Sequence, residues 1–251
     1  MIHNPFSLLG KTFLITGASS GIGKETAIEC AKMGAKLIIT GRKEGKLLET
    51  MSLLENSNLH EFIVADFENN DDIEKLTKSI GKINGIVHSA GILESVPFAF
   101  TNKSKLSNTL KVNFEIPFSL TQQMIKSKNI EKGSSIVFVS SLSGISTVAI
   151  GISAYAASKG AICASVRVMA LELASKKIRV NSICPGMVKT EMNLNNSNLS
   201  EEQLKADELS NYPLGYGTPI QIAHSIIFLL SDASSWITGS NIIVDGGASI
   251  Q

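Results

Sequence analysis

The chain has 251 residues, 43% of them hydrophobic and 18% charged, with a formal net charge of +1. This is long enough for one large domain with a real core, and so even a charge balance gives nucleic acid or an anionic membrane surface no electrostatic footing. Cys30, Cys163 and Cys184 are odd in number and far apart, which argues against a disulfide framework and for a reducing cytoplasm. The opening MIHNPFSLLGK lacks the basic region and apolar run of a signal peptide, and no stretch reads as a transmembrane helix.

In chain order, a strand at Thr12–Thr16 runs into LITGASSGIG and a helical pattern from Gly21 to Met33. Gly17, Gly21 and Gly23 therefore lie where a strand hands over to a helix. Glycine permits a tight turn and a close backbone approach. The helix start adds free N–H groups and a positive dipole end, which suits the pyrophosphate of a dinucleotide. Ser19 and Ser20 bring hydroxyls to the same loop. The second strand, Lys36–Thr40, ends in Gly41 and Arg42 before a helix at Lys43–Leu54. A carboxylate at this place receives the ribose 2′-hydroxyl in NAD enzymes. Here no acid stands to repel a 2′-phosphate and a guanidinium can pair with it, so NADP(H) is favoured, with NAD(H) as the alternative.

A third strand at Glu61–Ala65 leads to Asp66, and a helix at Asp71–Ile80 follows. The fourth strand, Gly85–Ser89, opens onto HSAG at 88–91. A long helical pattern from Lys103 to Ser127 contains Asn113, a poor helix former. The strand Ser134–Ser140 ends beside Ser141, at the strand terminus where ligands bind in such architectures. Ser140 points to the opposite side from Ser141. The helix Ala154–Ser175 carries Tyr155 and Lys159 in YAASK, four residues apart and so on one face. An ammonium near a phenol favours its ionised form and lowers a pKa that is otherwise about 10. A strand at Ile178–Ile183 is followed by PGMVKT at 185–190. The polar, asparagine-rich segment Asn193–Pro213, with one short amphipathic helix pattern, reads as part of an inserted lid over about 187–213. A helix at Ile220–Leu230 and a strand at Asn241–Val244 close the chain, with DGG at 245–247 and four further residues.

The strands are apolar on both faces and alternate with helices throughout, which predicts one doubly wound α/β domain over 1–251: a parallel seven-stranded sheet with helices on both faces. The motifs TGASSGIG, HSAG, Asn113 in KVNF, Ser141 in SSLSG, YAASK, PGMVKT and DGG together resemble the short-chain dehydrogenase/reductase family, in the family's order and over nearly the whole chain. The look is nearest to the bacterial 3-oxoacyl-carrier-protein reductase branch.

The resemblance implies a hydride-transfer enzyme in which Tyr155 exchanges the proton, Ser141 orients the carbonyl oxygen, and Lys159 tunes the tyrosine and binds the nicotinamide ribose. Asn113 marks a helix irregularity and supports a proton relay. It further implies cofactor contacts from Gly17, Ser19, Ser20, Gly21, Ile22 and Gly23 in the first loop and from Arg42, Asp66 and Phe67 around the adenosine. Ala90, Gly91, Tyr155, Lys159, Pro185, Gly186, Val188 and Thr190 would lie toward the nicotinamide. No metal is called for. His88 replaces the family's first asparagine of that motif and is expected to hydrogen-bond rather than catalyse.

Substrate walls are expected from Glu94–Phe100, Ile145–Ser153 and the lid, including Val96, Phe98, Phe100, Ile145, Val148, Ile150, Met187 and Met192, with Lys189 at the lid's base. Candidate substrates are a 3-oxoacyl thioester, free or linked to a carrier protein, or a sugar or polyol of surface-glycan metabolism. A non-catalytic NADP-binding sensor or scaffold is the reading from another class. Lys103, Lys105, Lys126, Lys128 and Lys132 are candidates for carrier-protein docking but read better as solvated helix faces and loops. The family default is a homotetramer.

Overall fold

The structure is a computed structural model that describes residues 4–196 and 200–250. Seven strands, β1 (Thr12–Thr16), β2 (Lys36–Gly41), β3 (Glu61–Val64), β4 (Ile83–His88), β5 (Ile130–Val139), β6 (Arg179–Pro185) and β7 (Asn241–Val244), form one sheet in the order β3-β2-β1-β4-β5-β6-β7. Every pairing in it is parallel. The strand order reverses between β1 and β4, so a crevice opens above their C-terminal ends. Thr16, the last residue of β1, lies level with Thr40 on β2 and His88 on β4.

The connecting helices are α1 (Gly21–Lys32), α2 (Glu44–Met51), α3 (Asn70–Ser79), α4 (Lys103–Leu110), α5 (Ile116–Lys126), α6 (Ser153–Leu173), α7 (Glu191–Asn196), α8 (Glu201–Asn211) and α9 (Pro219–Leu230). Their starts follow local chemistry. Asn69 caps α3 and Asn102 caps α4 through their side chains, while Ser200–Gln203 and Thr218–Gln221 form capping boxes on α8 and α9.

The core has a half on each side of the sheet. Phe13, Ile15, Leu37, Ile39, Val87 and Ile183 meet Ala27 of α1 and Ile222 and Ile226 of α9. The alternate residues Leu14, Ile38, Ile86, Phe138 and Val180 meet Leu76 of α3, Leu120 of α5 and Val166 of α6. Successive side chains point to opposite faces, and here both faces are apolar, as a covered parallel sheet requires.

Two expectations need correction. The helix expected over Lys103–Ser127 is interrupted by a π turn at Lys111–Glu115. Pro117 is the cause nearest at hand: it has no N–H to bond four residues back, to Asn113, and the ladder widens locally. The segment expected to hold one short helix holds two, α7 and α8. Residues 197–199 of that segment lie outside the described residues. Among the described residues no helix is long and apolar enough to cross a membrane.

Candidate active site

A cleft of about 1140 Å³ lies above the C-terminal ends of the strands. Its floor begins at the glycine loop. Gly17 has φ +68°, and a Cβ there would come within 2.7 Å of the Ala90 backbone; Gly21 has φ +53°. Both conformations belong to glycine. Gly23 has a different task from the one its motif suggests. A Cβ at Gly23 would sit 2.4 Å from the Gly17 carbonyl oxygen, so it packs the helix start under the loop and is absent from the cleft wall.

Ser20, at the N-cap of α1, makes no side-chain cap bond, and the first turn holds no acidic residue. The N–H groups of that turn are thus left without a capping side chain beside Ser19, Ser20, Gly21 and Ile22, which line the cleft. Thr16 Oγ1 accepts the N–H groups of Ser89 and Ala90, both at 3.2 Å, and so holds the β4 loop against the glycine turn. A backbone cradle with a positive helix end fits a dinucleotide pyrophosphate.

At the far end Arg42, Asp66 and Phe67 all border the cleft. Asp66 accepts the Glu68 N–H at 3.0 Å, and the Phe67 side chain is buried against Ile73 and Leu76. One expectation fails here. An acid does stand by Arg42: Glu68 Oε1 lies 3.8 Å from Arg42 Nη1, and Glu68 also borders the cleft. It escapes a reading along the chain because it arrives from the end of β3, 26 residues later. Thr40 Oγ1, on the cleft wall at the end of β2, is buried with no hydrogen-bond partner among the described residues. A polar atom in that state fits a bound polar ligand.

Ser141, Tyr155 and Lys159 meet on the same wall. Ser141 stands beside the Tyr155 hydroxyl, near enough to favour its ionised form, while its Oγ accepts the Ser143 N–H at 3.2 Å. Ser140 turns away and donates to the Lys159 carbonyl at 2.9 Å. Lys159 is buried; its Nζ donates to the Val139 carbonyl at 2.8 Å and lies 5.6 Å from the Tyr155 ring centroid. The expected lowering of the tyrosine pKa is not a property of this protein environment. Enclosure by the protein raises it, and the neighbouring Ser141 only partly opposes that. The ammonium is itself disfavoured, since burial brings Lys159 down to about 8.

Asn113 lies behind the wall rather than in it. Its Oδ1 accepts the Ile92 N–H at 2.8 Å, and its Nδ2 donates to Ile92 O at 2.9 Å and to Ser158 Oγ at 3.0 Å. The π turn thus pins the β4 loop to α6, one residue before Lys159.

Pro185, Gly186, Val188 and Thr190 border the cleft, as do Ala90 and Gly91. Above them Lys189 Nζ bonds Glu208 Oε1 of α8 at 2.9 Å, and the same oxygen accepts the Tyr216 N–H at 2.9 Å. Tyr216 donates its hydroxyl to Asp207. Asp207, Asn211 and Tyr212 border the cleft too, polar residues the sequence reading did not single out. Of the expected substrate walls, Val148, Ile150, Met187 and Met192 stand on the cleft, Phe98 borders an adjoining hollow of about 350 Å³, and Val96, Phe100 and Ile145 stand on neither. His88 is buried away from the cleft against Phe138 and Thr121.

A family model described as enoyl-(acyl carrier protein) reductase matches residues 17–249. The chain is 33% identical over 241 residues to a 3-oxoacyl-[acyl-carrier-protein] reductase of Rickettsia felis, covering 96% of this chain and 97% of the relative. A protein of the same description from Thermotoga maritima is 34% identical over 246 residues, covering 96% and 98%. Among solved structures, a putative NAD(P) dependent gluconate 5-dehydrogenase from Beutenbergia cavernae, with bound NADP at low occupancy, aligns with a TM-score of 0.88 at 28% identity, covering 99% of this chain and 100% of that one.

Proposed function

The chain belongs to the short-chain dehydrogenase/reductase family, and from that premise we propose that it is an NADP(H)-dependent oxidoreductase interconverting a carbonyl and a secondary alcohol, with a 3-oxoacyl thioester as substrate. The observation that carries the reading is the convergence of Ser141, Tyr155 and Lys159 on one wall of the cleft. NADP(H), when bound, would supply the hydride donor or acceptor. Everything else falls to the chain. The uncapped start of α1 and the glycine turn would hold the pyrophosphate. Arg42 would take the 2′-phosphate, and Pro185, Gly186, Val188 and Thr190 would bound the nicotinamide.

The substrate carbonyl oxygen would sit between the hydroxyls of Ser141 and Tyr155. A tyrosine pKa raised by enclosure keeps the phenol protonated at neutral pH, ready to donate as the carbonyl carbon is reduced. The resulting phenolate faces the Lys159 ammonium 5.6 Å from the ring centroid, which steadies it until a proton returns. Asn113 positions Lys159 by clamping the loop and helix on either side of it. The segment 187–213 would act as a lid, latched through Glu208.

Val148 and Ile150, 96% and 91% exposed at the cleft mouth, favour an acyl chain over a hydrated sugar. The polar row Asp207, Asn211 and Tyr212 favours the second reading, a keto sugar or polyol. A screen of NADPH oxidation with acetoacetyl thioesters against keto sugars separates the two. Tyr155→Phe tests the chemistry. Turnover should fall about 10²–10⁴-fold, the usual contribution of a positioned acid, while NADP⁺ affinity measured by calorimetry changes little. Turnover near the unmodified level would reject the assignment.

A further inference from the structure

We propose that Glu68 sets how strongly the cleft prefers a 2′-phosphorylated dinucleotide over its 2′-hydroxyl counterpart, by competing with the phosphate for the Arg42 guanidinium; this rests on the reading of the cleft as a dinucleotide site.

The placement is built in. β2 and β3 are neighbours, with Gly41 level with Val64 and the Ala65 N–H bonded to the Gly41 carbonyl at 3.1 Å. The two chains therefore leave the sheet side by side. Arg42 comes one residue after β2 and Glu68 four residues after β3. The Glu68 backbone is fixed on both sides: its N–H donates to Asp66 Oδ1 at 3.0 Å, and its carbonyl accepts from Lys111 Nζ at 2.9 Å. Its carboxylate is thereby held at the lip of the cleft.

The Arg42–Glu68 separation of 3.8 Å is that of an ion pair, longer than a hydrogen bond, and both side chains are about half exposed. Such a pair is weak and opens readily. A dianionic 2′-phosphate offers the guanidinium a stronger, two-point partner. Once there, it lies well within a Debye length of the displaced carboxylate, so like charges face each other. A 2′-hydroxyl meets no such opposition. Glu68 thus lowers the affinity for the phosphorylated form alone and keeps the two dinucleotides closer in affinity than Arg42 would by itself.

The test uses the adenosine half of each cofactor, 2′,5′-ADP and 5′-AMP, with calorimetric binding to the full chain. Glu68→Gln should tighten 2′,5′-ADP about two- to fivefold, the span of an exposed ion pair, and leave 5′-AMP essentially unmoved. The gain should shrink as salt is raised. Arg42→Ala should weaken 2′,5′-ADP about tenfold or more, and adding Glu68→Gln to it should restore less than Glu68→Gln gains alone, because only the like-charge repulsion is left to relieve. If Arg42→Ala weakens 2′,5′-ADP but Glu68→Gln leaves it unchanged, the competition is refuted while the NADP reading stands. If Glu68→Gln weakens 5′-AMP instead, Glu68 is a ribose hydroxyl acceptor and the proposal is wrong. If Arg42→Ala has no effect, the NADP reading falls and takes this proposal with it.

Discussion

His88 ends β4 with its ring 4.6 Å from that of Phe138 and its Nε2 2.8 Å from Thr121 Oγ1. Thr121 gives its own hydroxyl proton to the Pro117 carbonyl at 2.8 Å, so its oxygen accepts and Nε2 carries the imidazole hydrogen. Nδ1 is then a buried acceptor without a donor among the described residues. Burial holds the ring neutral and brings its pKa from 6.5 down to about 3. The unfolded chain takes up a proton near pH 6.5 and the folded chain does not, so stability is whole above 6.5 and is lost as the pH falls toward 3. At pH 4.5 that loss is roughly 2–3 kcal/mol. His88→Gln should be no more stable at pH 8 yet lose less than the unmodified protein on going to pH 4.5. Urea midpoints at the two pH values check this, and equal losses in both proteins would clear His88 of the acid sensitivity. Much at this scale was legible in the sequence, because motif residues such as Tyr155, Lys159 and Ser141 carry their chemistry in their spacing. Glu68 and Thr40 were not, because what matters is a neighbour that only sheet pairing supplies.

Elements were legible where their signals are local. Apolar runs gave the strands, and all seven stand where they were expected, with ends shifted by up to four residues at β5. The broken helix around Asn113 was less legible, since a lost backbone bond at Pro117 leaves hydrophobic periodicity nearly intact. The lid was the least legible: α8 is exposed along most of its length, with no residue fully buried, so only a short amphipathic pattern marks it. What holds α8 is a junction. Glu208 takes both the Lys189 ammonium and the Tyr216 N–H, while Asp207 next to it takes the Tyr216 hydroxyl. Each contact alone is worth little at such exposure, but together they join α8 to the loops at Lys189 and Tyr216, before and after it in the chain. Glu208→Ala should therefore raise the substrate KM about two- to fivefold with kcat little changed, the pattern of lost ground-state binding. Steady-state kinetics decide it. An unchanged KM would mean the junction does not shape the substrate side of the cleft.

At the scale of the whole molecule, strand–helix alternation specified the sheet, but nothing in a linear pattern distinguishes a solvated apolar residue from one awaiting a partner. The folded surface does carry that information. Trp236, the only tryptophan in the chain, is 98% exposed. Its segment runs along α6, since a Cβ on Gly239 would lie 3.4 Å from the Ala170 side chain. On the same helix Leu171 is 79% and Val168 57% exposed. Scattered apolar residues need no explanation, but a fully exposed tryptophan on a loop that packs on a helix bearing two more exposed apolar residues marks a face of the sort that copies of a chain cover. A homotetramer that uses this face is the expected assembly. Light scattering should give about four chain masses, and the emission of Trp236 should lie to the blue in the assembly and move to the red on dilution as subunits part. Trp236→Lys should lower the assembled mass while the circular dichroism of the fold persists. A monomer at working concentration, or an assembly that leaves the Trp236 emission fully red, would show that this face stays in water.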